Sequence, residues 1–181
     1  MLYNSLVLSY INYGLLLWGQ NCARVVKLQK KVVRIVALSK YNAHTEPIFK
    51  QLKLLKLCDI YKLQELKFYF KLVNHRLPEY FQTLPVNINS DMHEYRTRFR
   101  SSLHMNRATR EYAKRCLGYS IPIAINNTKP IITEKVHTHS LKGFSNYVKN
   151  SCIQGYGMTC DKRDCYICKK NGPPTVIYLD E

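Results

Sequence analysis

Apolar residues recur along most of this chain at helical intervals, and they divide it into segments. The first, Leu2 to Trp18, is the most apolar. Leu2, Leu6, Tyr10 (or Ser9), Tyr13 and Leu17 share one side, which predicts a buried helix ending near Gly19. Arg24 to Leu38 has two walls. At about 100° per residue, Val25, Leu28, Val32, Ile35 and Val36 fall on one side. Arg24, Lys27, Lys30, Lys31 and Arg34 fall on the other. A polar hinge follows at Tyr41 to Pro47. There Thr45 is suited to N-cap a short helix, and Pro47 fits the first turn, where a missing N–H costs nothing. Asp59 to Asn74 predicts a long helix striped by Ile60, Leu63, Leu66, Phe70 and Val73. Tyr61, Phe68, Tyr69 and Leu72 widen that stripe until it needs burial on more than one side. The simplest arrangement packs the amino-terminal helix against it. Asp59 meets the positive end of the helix dipole.

After Asn74 the pattern loosens. Leu77 to Asn89 carries two prolines and predicts one short helical turn, Glu79 to Phe81, and then a loop. In Asp91 to His104, Tyr95, Thr97 and Phe99 alternate with Arg96, Arg98 and Arg100. A period of two suits an extended segment with a cationic edge, a plausible contact for a single strand or a phosphate backbone. The plainer reading is an exposed loop whose arginines pair with Glu94 and Glu111. Arg107 to Gly118 predicts a basic helix ended by its glycine. Ser140 is placed to cap a last helix with Leu141, Phe144, Tyr147 and Val148 on one face. The expected fold is mostly α, a small bundle with a loop-rich C-terminal half. Three segments follow from this: helical residues 1–76, a loop-rich region 77–150 with short helices, and a basic, cysteine-rich tail 151–181.

Charge changes the picture more than length does. The chain has 181 residues and a formal net charge of +16, and no Asp or Glu precedes Glu46, whereas six Lys or Arg do. Such an excess favours a polyanion, nucleic acid before membrane. Leu2 to Trp18 is interrupted by Asn4, Ser5, Ser9, Asn12 and Gly14, and it lacks a basic leader and a small-residue cleavage site. It therefore reads as neither signal peptide nor membrane span, and a membrane-surface protein ranks last among the readings. Two-metal phosphoryl transfer needs paired carboxylates. No Asp-Asp pair occurs, and the acids are scattered.

The order of residues from Leu28 onward carries a resemblance. Leu28, Gln29, Lys30 and Lys31 are followed by His44, Thr45, Pro47, Ile48 and Phe49, then by Leu55, Leu57, Asp59, Ile60 and Tyr61. This run resembles the region just after the polymerase core in jockey-like non-LTR retrotransposon reverse transcriptases. The Leu-Tyr-x-Ser-Leu-Val start and the Trp18-Gly19 pair are similar to that family's first helix after the palm, with Ser9 where a proline is usual. His93, Tyr95, Thr97 and Arg98 match a further motif, as do Pro122 and Asn126, although Ile121 and Ile125 depart from the commoner Gly-Pro-x-x-Trp-Asn form. The resemblance covers about Leu2 to Lys149 and is strongest before Asn74. It implies a thumb-like helical region holding a template–primer duplex, with fingers, palm and endonuclease on upstream residues that this sequence does not contain.

Seven cysteines and no secretory leader favour a reducing compartment, so the expected location is intracellular, cytoplasmic or nuclear. Cys160, Cys165 and Cys168 have the spacing C-x4-C-x2-C, with Cys152 upstream and four cations close by. A four-thiolate zinc site would explain three cysteines crowded where no core can form. Against it, nucleic-acid knuckles usually include a histidine that is missing here, and His137 or His139 would compete with Cys152 as a ligand. Reduced thiols are the favoured reading. Cys22, Cys58 and Cys116 read as ordinary thiols.

The expected function is that of a reverse-transcriptase fragment that lacks its catalytic palm. It would bind RNA or DNA through Arg24, Lys27, Lys30, Lys31, Arg34, Arg96, Arg98 and Arg100, and it would not polymerise alone. The alternative is an independent helical adaptor, binding RNA or protein, derived from such an element.

Overall fold

A computed structural model describes residues 2–84, 86–92, 94–96 and 98–157, and every structural statement below concerns those residues. Among them the chain is mostly α-helical, without a strand, and carries an isolated antiparallel bridge between Ile88 and Leu103. None of the described helices is long and apolar enough to cross a membrane. A π-helical run, Tyr3–Leu8, leads into α1 (Ser9–Asn12), α2 (Leu15–Trp18) and a 3-10 turn, Gly19–Asn21. Then come α3 (Ala23–Val36), α4 (Thr45–Gln51) and α5 (Leu57–Val73), followed by three single turns, α6 (Glu79–Gln82), α7 (Asn89–Met92) and α8 (Glu111–Lys114). The order closes with α9 (Leu117–Asn126), α10 (Pro130–Thr138) and α11 (Leu141–Gln154). By packing, these elements form two units. One joins the residues up to Tyr61 with those from Tyr147 onward, and the other is Lys62–Asn146. The division cuts α5 and α11 within their length, so it describes packing and not the sequence segments 1–76, 77–150 and 151–181.

In the first unit Tyr3, Val33, Ala37, Ala43, Ile48, Phe49 and Tyr156 form a buried cluster, with Val7, Leu8, Val32 and Ile153 packed on it. This overturns the expected face of the amino-terminal helix. Leu2, Leu6, Tyr10, Tyr13 and Leu17 are 59% to 85% exposed, whereas Tyr3, Ile11 and Leu15 are buried. Both sides of this stretch are apolar, so periodicity alone could not choose between them. A turn wider than 3.6 residues keeps Tyr3, Val7 and Ile11, spaced by four, nearly in line. The helix is also broken, not straight. Tyr13 is extended, Gly14 has φ +60°, and Trp18 Nε1 donates to the Tyr13 carbonyl oxygen at 2.7 Å across the break. Only glycine takes that φ without steric cost. Gly19 is needed for a different reason: a Cβ there would lie 2.2 Å from the Tyr61 ring.

The buried face of α3 is likewise displaced from the expected one. Gln29, Val33 and Ala37 are buried and Val26 is half-buried. That is the predicted set moved on by one residue, a rotation of about 100°. Leu28 and Ile35 are instead 58% and 71% exposed. The centre of the inner face is a polar residue, Gln29. Its Nε2 donates to Tyr3 Oη at 2.7 Å and to the Leu55 carbonyl oxygen at 2.9 Å, and its Oε1 accepts from Leu57 N at 2.9 Å. Thr45 does not cap α4. His44 holds the extended N-cap position, and Thr45 is the first helical residue and buried.

Tyr156, just after α11, completes this unit. Tyr156 Oη donates to Asp59 Oδ2 and accepts from Lys56 N at 3.0 Å. Lys50 Nζ donates to the Tyr156 carbonyl oxygen at 2.8 Å, and Lys56 Nζ lies 4.4 Å from its ring centroid while pairing with Glu46. Asp59 does sit in the first turn of α5, as the dipole argument requires, and it also anchors this tyrosine.

In the second unit the predicted α5 stripe is buried at Leu63, Leu66 and Phe70, and Phe70 meets Phe144 of α11 at 5.2 Å between ring centroids. Phe70 thus packs on α11, whereas the amino-terminal stretch meets α5 at its start, where Gly19 lies against the Tyr61 ring. Ser140 caps α11 as predicted, accepting from Gly143 N at 3.2 Å. The basic helix expected over Arg107 to Gly118 shrinks to α8, and Gly118 falls in the first turn of α9. The loops are concentrated between α5 and α9, and three full helices follow them.

Candidate nucleic-acid interface

The α3 sequence contains no Gly, Pro or acid, and Arg, Lys, Leu and Gln, none branched at Cβ, fill half of it. The helix forms because Gln29, Val33 and Ala37 bury one side, not because its charges suit it. Arg24 and Lys27 occupy the end where the dipole is positive, and only Arg34 lies in the last turn, where a cation is favoured. Neighbours three and four apart, such as Lys27, Lys31 and Arg34, repel one another by a few tenths of a kcal/mol per pair. Arg24, Lys27, Lys30 and Lys31 are exposed, and among the described residues none forms an ion pair with them. The helix therefore presents a row of uncompensated cations, interleaved on its solvent side with exposed Leu28 and Ile35.

Arg34 differs from the other four. It is half-buried, and its Nε donates to the Ala43 carbonyl oxygen at 2.7 Å, tying α3 to the hinge. Burial lowers its pKa from the ordinary value, and the nearby Tyr41 hydroxyl acts in the opposite sense. A cavity of about 320 Å³ opens beside it, lined by Lys31, Arg34, Ile35, Ser39 and Tyr41.

Arg96, Arg98 and Arg100 lie in the other unit, on a loop whose base is fastened and whose crown is exposed. The expected extended segment is a series of turns, with Ser102 N bonded to the Phe99 carbonyl oxygen at 3.0 Å. Asn89 N donates to the Ser102 carbonyl oxygen at 2.9 Å, and Asn89 Nδ2 to the Phe99 carbonyl oxygen at 2.8 Å. The Asn126 side chain acts as a substitute strand for Leu103. It accepts from Leu103 N at 3.0 Å and donates to the Leu103 carbonyl oxygen at 2.9 Å. The three arginines are displayed around exposed Tyr95 and Phe99, an aromatic–cation mixture suited to unpaired bases. His93 and Thr97 lie outside the described residues.

Cys152 is half-buried on α11, while Cys160, Cys165 and Cys168 lie outside the described residues. No group of three metal-ligating side chains occurs among those described. Cys22 and Cys58 are neighbours: burial and then the Cys58 thiol raise the Cys22 pKa. Sequence reasoning missed Gln29, Tyr41 and the role of Asn126. Asn126 directly follows the apolar run Ile121 to Ile125, which is the available signal for a buried backbone clamp; Gln29 sits among lysines and offers none. No family model, no curated protein and no solved structure matches the chain.

Proposed function

We propose that the chain binds nucleic acid, with α3 lying along the backbone of a template–primer duplex, as a thumb-like fragment of a non-LTR retrotransposon reverse transcriptase. The observation that supports this best is the exposed row Arg24, Lys27, Lys30 and Lys31, which has no acid on its helix. A solvated surface helix normally mixes signs; this one gains stability only when a polyanion offsets its self-repulsion. With no paired-carboxylate box, the chain supplies grip and not phosphoryl transfer. Duplex or RNA–DNA hybrid affinity should fall steeply with salt. Arg24→Gln, Lys27→Gln and Lys31→Gln together should flatten the log–log salt slope by about two to three units. Arg34 is left intact because it also holds the hinge. An unchanged slope would reduce α3 to an ordinary solvated face.

The exposed Leu2, Leu6 and Tyr10, spaced by four before the break at Tyr13, favour a protein partner as well, since large apolar residues clustered on a surface mark interaction sites. In the main reading that partner is an upstream polymerase palm. In the second reading the chain is an independent adaptor. Duplex binding that strengthens when a palm domain is supplied separately favours the first, and binding indifferent to it favours the second.

A further inference from the structure

We infer that the cavity at the C-terminal end of α3 receives one unpaired nucleobase from a strand whose phosphates run along that helix. The inference rests on the duplex-binding reading above and adds a ligand to it. About 320 Å³ is at the small end of ligand pockets, roomy enough for one flat base and too small for a base pair with its backbone. Its walls suit a flat, electron-rich ring joined to an anion. Tyr41 is 83% exposed and lines the cavity, an aromatic ring of the kind on which bases stack. Ile35, also exposed, offers an aliphatic floor. Arg34 brings a planar guanidinium fixed in place through its Nε bond to Ala43, so its Nη edge is already oriented when the base arrives. Lys31, one turn before Ile35 and beside Arg34, supplies the cation for the phosphate next to that base.

The backbone explains how the wall is built. Leu38 takes a left-handed conformation (φ 49°), which ends α3 abruptly and folds Ser39 back, with Ser39 N on the Arg34 carbonyl oxygen at 2.9 Å. That reversal sets Ser39 and Tyr41 beside the last turn of the helix. A continuing helix would carry them out of reach of Lys31.

The test uses the full chain and three duplexes of one sequence: blunt, with a single unpaired adenine at one end, and with an abasic residue in its place. The unpaired base should tighten binding roughly tenfold over both other duplexes, the usual scale for one stacked base. Tyr41→Ala should abolish that preference and leave the blunt-duplex affinity and its salt slope unchanged. Tyr41→Trp should keep it. Equal affinity for the base-bearing and abasic ends would overturn the inference while duplex binding stands, and so would a preference that survives in Tyr41→Ala. Failure of the parent chain to bind any of the duplexes at low salt would sink the parent reading and the base site with it. Because Tyr41 is exposed, its variants should melt with the parent.

Discussion

Gln29 shows how one side chain can set the orientation of a helix. All three of its partners are polar and internal: a phenol, a carbonyl and an amide N–H, the last two on the stretch of backbone that opens α5. Gln29→Leu keeps the size but orphans Leu55 O and Leu57 N in a dry interior. At about 1–3 kcal/mol for each buried group left unmade, a loss of roughly 2–4 kcal/mol is expected in chemical denaturation. A change below about 1 kcal/mol would mean that water replaces the amide. Tyr3, Tyr69 and Tyr156 give a second expectation. Burial raises all three, most strongly Tyr156, where the hydrogen bond to Asp59 adds to it. Above about pH 10 the unfolded phenols lose protons while the folded ones keep theirs, so the folded state binds more protons and stability falls as pH rises. Below that pH the contribution is fully present. Tyr156→Phe should therefore show a shallower alkaline decline in melting temperature than the parent, and an identical decline would remove Tyr156 from the cause. These residue-level features were largely illegible in the sequence. Gln29 looked like one more polar residue on a charged helix, and nothing local distinguishes Tyr156 from thirteen other tyrosines.

Among the elements, the ends of three helices repeat one device. After α3, α4 and α5 the chain turns through Leu38, Lys53 and His75, each with φ near 50°. In each case the next N–H reaches back to the last turn: Ser39 to Arg34, Leu54 to Phe49 and Arg76 to Lys71, at 2.8–2.9 Å. This is the Schellman geometry, in which glycine usually fills the left-handed site. A side chain there costs on the order of 1 kcal/mol. Leu38→Gly, Lys53→Gly and His75→Gly should each stabilise the chain by about 0.5–1 kcal/mol in urea denaturation, an unusual sign for a change to glycine. Destabilisation by all three would show that these ends relax in solution. The elements themselves were largely readable. The stripe of α5 and the Ser140 cap of α11 follow from spacing and from one hydroxyl. The ends of α3 and α5 were legible too, expected at Leu38 and Asn74 and found at Val36 and Val73, although no glycine marks the left-handed turns that make them. The faces of α3 and the amino-terminal helix were misread because amphipathic counting assigns every amide to the outside and cannot choose between two apolar sides. For the site, the cations of α3 were legible as a row, but the cavity beside them depends on the turn at Leu38, which no local signal announced.

At the scale of the whole molecule, the first packing unit is assembled from two segments distant in sequence, with Tyr156 fastened to Lys50, Lys56 and Asp59 about a hundred residues earlier. Tyr156→Ala should raise amide hydrogen exchange in α4 and the start of α5, and leave α9 and α10 protected as in the parent. Equal loss in α9 and α10 would mean that the molecule opens as one. The arrangement also has a history in time. A ribosome issues residues in order, at about 5–20 per second, so Tyr156 emerges on the order of ten seconds after the α4 and α5 residues it fastens. Throughout that interval the apolar cluster around Tyr3, Val33 and Phe49 lacks one of its walls. A cell making this polypeptide would need chaperones near the exit tunnel during that delay, and slow codons between Tyr61 and Tyr147 would lengthen it.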